Sequence, residues 1–133
     1  MLNSYLKSLY SKVDQAVKET NTFIDLLETN VKNIASSEAK EKLSLEFNAY
    51  CELLSDIQDT AQNPPVVDNR DIQFITKQLK EMPELFANDF KLQAALPLFG
   101  IVKLRRITSL IKKLREIDVK LQAAAFSLNM NIR

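Results

Sequence analysis

The sequence predicts an all-α protein, an elongated antiparallel bundle of four to five helices. Three observations carry that expectation. Glycine occurs once in 133 residues, whereas antiparallel β proteins need glycine-bearing turns at short intervals. Apolar residues recur in alternating steps of three and four along most of the chain, the period of one helix face. The four prolines fall in or near the interruptions of that pattern, at Pro64, Pro65, Pro83 and Pro97. An apolar content of 46% and a charged content of 26% suffice for one buried core, and the length suits a single domain over residues 1–133.

The first stripe is Leu2, Leu6, Leu9, Val13, Ala16, Thr20, Phe23 and Leu27, extended by Val31 and Ile34. It predicts a helix over about 4–34, capped by Asn3 or Ser4, whose short oxygen-bearing side chains accept from free N–H groups. Such a helix is about 45 Å long, longer than the ~36 Å diameter of a round domain of this size. The bundle is therefore expected to be elongated, or the first helix to project and form a homodimer through its seam.

The Ser36-Ser37 pair offers the next cap. The second stripe follows as Leu43, Phe47, Tyr50, Leu54, Ile57 and Ala61, and ends at Asn63-Pro64-Pro65, where a helix cannot continue. Asp68 or Asn69 is expected to cap a third helix with Ile72, Ile75, Leu79 and Met82 inward. Pro83 stops it, and a short segment over 84–95 is expected to follow. The last helix is expected from about 98 or 101 to 127, with the stripe Ile107, Leu110, Leu114, Ile117, Leu121, Ala124 and Leu128 widened by Ile111, and with fraying at Asn129-Met130-Asn131.

The composition excludes much chemistry. There is no His, so the commonest general base and zinc ligand is missing. One glycine excludes glycine-rich phosphate loops. The pairs Glu38/Glu41 and Asp56/Asp59 each share a helix face, but a di-metal bundle would need Glu-x-x-His. Cys51, the single cysteine, reads as a packing thiol beside the second stripe and fits a reducing compartment. No catalytic residue, cofactor, metal or small-molecule substrate is expected.

Charge is uneven. Residues 1–62 hold 6 basic and 10 acidic groups, and residues 63–133 hold 12 and 7. Lys103, Arg105, Arg106, Lys112, Lys113, Arg115 and Lys120 face only Glu116 and Asp118 within residues 103–120. Lys103, Arg105, Arg106, Lys112, Lys113 and Lys120 are the candidate partner-binding residues. Alternatively the cluster is a solvated face that complements Glu46, Glu52, Asp56 and Asp59 of the second helix. The run Leu96–Val102 reads either as a buried elbow or as an exposed patch that docks a partner.

The functional expectation is a non-catalytic protein-interaction module, an adaptor, regulator or assembly subunit, with a protein partner or another anionic surface. The alternative is a peripheral membrane protein that uses the basic, amphipathic last helix. Nucleic acid is a weaker expectation, because no aromatic residue is interleaved with the cations before Phe126. With no signal peptide or bilayer-length apolar run in the sequence, the expected location is cytoplasmic, soluble and intracellular.

Overall fold

The computed structural model describes residues 2–29, 37–65, 69–85 and 100–132. They form four helices: α1 Leu2–Thr29, α2 Ser37–Gln62, α3 Arg70–Lys80 and α4 Gly100–Asn131. No strand occurs among the described residues. The helical period read from the sequence therefore holds, and so does the bundle.

Local chemistry sets the ends of the shorter elements. Asn69 caps α3, its side chain accepting from the backbone N–H groups of Asp71 and Ile72 at 2.9 and 3.3 Å. The last turn of α2 tightens as the Asn63 N–H donates to the Thr60 carbonyl, and the Asn63 amide donates to Asp59 O. Pro64 and Pro65 then stop the helix. After α3, the Glu81 N–H closes on Lys77 O, and Met82 turns into the core ahead of Pro83.

Three expected boundaries are corrected. Helix α1 begins at Leu2, so Asn3 and Ser4 lie within it rather than capping it; Leu2 packs against the core and holds the first turn. The last helix does not end near 127 and fray over Asn129-Met130-Asn131 but runs to Asn131. Leu128 is fully buried there, and Ile132 N–H and the Asn131 amide donate to the carbonyls of Leu128 and Ser127. Residues 84 and 85 are not helical, and the rest of the expected 84–95 segment lies outside the described residues. So do Asp68, the stretch 30–36 with Val31 and Ile34, and residues 96–99 of the Leu96–Val102 run.

The helices form an up-down-up-down ring. Helix α1 packs on α2 and α4, and α3 packs on the same two, so that α1/α3 and α2/α4 are the diagonals. Every side of the ring is antiparallel. Along α1 and α2, Tyr5 meets Thr60, Lys12 meets Asp56 and Thr20 meets Tyr50. Along α2 and α3, Ala61 meets Thr76 and Gln58 meets Leu79. Glu81, just past α3, meets Lys120, while Asn21 and Glu28 of α1 meet Asp118 and Arg115 of α4. With 32 residues, α4 is about 48 Å long, so the bundle is long rather than round.

The stripes meet in one core. Leu6, Leu9, Val13, Ala16, Phe23 and Leu27 of α1 are buried against Phe47, Leu54, Ile57 and Ala61 of α2 and Leu110, Leu114, Ile117, Leu121, Ala124 and Leu128 of α4. The heptad-like seam of α1 thus lies inside the monomer. Among the described residues of that seam, the antiparallel neighbours cover Leu6 through Leu27.

Candidate functional site

Helix α4 has two apolar faces. Its inner face supplies the core. On the outer side stand Val119, Phe126 and Met130, exposed to 65%, 70% and 70%. Half-buried Ala123 completes the series. The positions 119, 123, 126 and 130 advance in steps of four, three and four, which keeps them in one row on a helix. The row lies directly opposite Leu114, Ile117, Leu121, Ala124 and Leu128, so none of the described helices buries it. The sequence reading missed it, since only the inner stripe of this helix was followed; a second three-four series on the same segment is the signal that reveals it.

The basic candidates are spread around the helix rather than gathered into one patch. Lys112 is exposed on the outer face. Lys113 and Lys120 are half-buried on the flank toward α3. Lys120 pairs with Glu81 at 3.2 Å, and Arg115 pairs with Glu28 across the α1 side. Lys103, Arg105 and Arg106 lie in the first turns of α4, and their side chains are outside the described residues.

The acidic residues of α2 do not complement α4. Helices α2 and α4 are diagonal corners of the ring, and Asp56 pairs instead with Lys12 of α1 at 2.9 Å. Helix α4 carries seven cations and two acids, whereas α2 carries six acids and two lysines. The molecule is therefore electrically asymmetric, acidic along one edge and basic along the opposite one.

Other places in the fold hold less chemistry. Cys51 is half-buried and lines a cleft of about 230 Å³ with Leu54, Gln58, Met82 and Leu85; it is less enclosed than a core thiol. A second cleft, about 290 Å³, sits at one end of the bundle between Leu2, Leu6, Ile72 and Ile75, edged by the amides of Asn3, Asn69 and Asn131. No ionisable side chain among the described residues lines it. Among the described residues no group of three or more His, Cys, Asp or Glu is placed to hold a metal, and no helix is long and apolar enough to cross a membrane.

Inside the bundle, Thr20 and Tyr50 form a buried polar contact, both fully enclosed. The Thr20 hydroxyl donates to Ala16 O at 2.6 Å. Its one proton is thereby used, so the Tyr50 hydroxyl donates to Thr20. Burial raises the Tyr50 phenol well above its ordinary value of 10.0. Phe23 and Phe47 surround the ring, with centroids 5.4 and 6.3 Å away. This contact fixes α1 against α2 and is closed to solvent, so it is structural.

Compared with protein-family models, with curated proteins and with solved structures, the chain matches none.

Proposed function

We propose that the protein is a non-catalytic interaction module, an adaptor, regulator or assembly subunit, and that the outer face of α4 is its contact surface. One observation carries this reading: the row Val119, Phe126 and Met130 is exposed along one helix, on the side away from the core that the described helices share. Large apolar side chains aligned in solvent weaken solubility without stabilising the fold, and such rows mark interaction surfaces. The basic edge adds to the argument, because cations beside an apolar row steer encounter with an anionic partner.

The membrane-surface alternative draws on the same residues, since apolar rows flanked by Lys and Arg also seat helices on anionic lipid. It has less support. The exposed apolar strip of α4 is one side chain wide, narrower than the apolar face that an interfacial helix buries in lipid.

A photo-crosslinking side chain placed at position 126 tests the proposal in cells that express the protein, with position 52 on exposed α2 as control. Discrete protein adducts at 126 and not at 52 are expected. Lipid adducts alone, or identical protein patterns at both positions, would overturn it.

A further inference from the structure

The row has a shape, a size and a charged border that together select among occupants. Positions 119, 123, 126 and 130 repeat the spacing of a coiled-coil seam, in which each apolar knob enters a hole made by side chains of the facing helix. Small Ala123 between Val119 and Phe126 leaves a hole of this kind. The row spans 12 residues, about 16 Å from first to last, and is one helix, about 10 Å, wide. Two globular copies in a stable dimer bury about 800 Å² per partner, far more than this strip supplies. A single helix laid along it matches both dimensions.

The border supplies the charge preference. Lys112, Arg115 and Lys120 adjoin the row, and Glu116 is the one acid that does so; Gln122, Ser127 and Asn129 complete the edge without charge. Asp118 is turned away, accepting from Asn21 of α1 and from Gln122. The ion pairs Arg115–Glu28 and Lys120–Glu81 are solvent-accessible, and pairs of that kind are weak enough to exchange for a carboxylate brought by a partner. Charges flanking a helical seam choose its partner.

We infer that the outer row of α4 docks one amphipathic helix of a partner protein, a helix with apolar residues at three-four spacing and acidic residues on its flanks. The inference rests on the proposed use of this face as a contact surface and names the chemistry of what covers it.

The test measures binding of the full chain to three labelled helical peptides of about 20 residues, long enough for nearly three heptads. One has an apolar seam with glutamate flanks, one has the same seam with lysine flanks, and one is a scramble of the first. Phosphatidylserine-containing vesicles and light scattering of the protein alone complete the set. The glutamate peptide is expected to bind at least roughly ten-fold tighter than the lysine peptide, about 1.4 kcal/mol. Phe126→Asp, at an exposed position, should abolish binding while leaving the circular dichroism and melting temperature unchanged. The double variant Lys112→Glu/Arg115→Glu should reverse the preference. Equal binding of both seam peptides, or of the scramble, overturns the acidic-helix inference and leaves the contact-surface reading standing. A dimer that Phe126→Asp dissociates does the same, by making a second copy the occupant. Vesicle binding that depends on Phe126, with no peptide bound, overturns the protein-interaction reading as well.

Discussion

Truncating the Thr20–Tyr50 contact from its two sides should have unequal effects. Tyr50→Phe removes a donor but leaves the Thr20 hydroxyl bonded to Ala16 O; the expected loss is about 0.5–1.5 kcal/mol, that of one hydrogen bond. Thr20→Val strands the phenol of a fully buried tyrosine, and an unsatisfied buried group costs about 1–3 kcal/mol. The double variant should recover part of the Thr20→Val loss. Urea unfolding with an unchanged slope checks all three, and a larger loss for Tyr50→Phe would reverse the donor assignment. The same phenol makes a pH prediction. Its folded pKa lies above the ordinary 10.0, so the unfolded chain releases the proton first. The stability it contributes is complete below pH 10 and is lost as pH rises beyond it. Tyr50→Phe should flatten that alkaline decline.

At the scale of elements, α3 is the most dependent on its neighbours. Its 11 residues would not hold a helix alone in water; Ile72, Ile75 and Leu79 bury it and Asn69 caps it. Asn69→Ala should cost about 1 kcal/mol. Hydrogen exchange should quicken at the amides of residues 70–76 and stay unchanged in the middle of α1 and α4. Equal acceleration everywhere would mean that α3 opens only with the whole bundle. The long helices depend on burial instead. Phe47→Ala and Leu114→Ala remove side chains that are 1% and 0% exposed, and each should cost about 2–5 kcal/mol. A loss below about 1 kcal/mol at both would place the apolar faces wrongly.

For the whole molecule, ring closure decides what each seam is for. The apolar stripe of α1 meets α2 and α4 of the same chain. Val13→Asp, at a position with no exposure, would bury a carboxylate without a partner, at a cost of several kcal/mol, against a total stability of about 5–15 kcal/mol. The expected result is loss of the cooperative thermal transition. A variant that stayed folded and changed only its mass in light scattering would show that the seam joins two chains. The ring also separates α2 from α4, so the acidic and basic edges of the bundle stay apart and each remains available to solvent or to a partner.

How much of this was legible beforehand depended on the range of the interaction concerned. Three-four spacing in Leu6, Leu9, Val13 and Ala16, or in Leu110, Leu114, Ile117 and Leu121, is a local property of the chain, and burial follows it residue by residue. Proline stops and the Asn69 cap are equally local. Leu2 and Leu128 belong to the expected stripes, but α1 and α4 extend to include them because contact with other helices holds their turns, which the cap and fraying residues nearby do not report. Of the six basic positions singled out, the sequence supplied the charge but not the surroundings; Lys120 faces Glu81 rather than α2 only because of how the chain is wound. The sequence by itself determined the helical class, the antiparallel bundle and the inner faces, since these follow from period, proline placement and the need to hide apolar stripes. Which stripe would remain in solvent was decided by the tertiary structure. Helix α4 carries two apolar rows, and one ring of four helices has room to bury only one face of each.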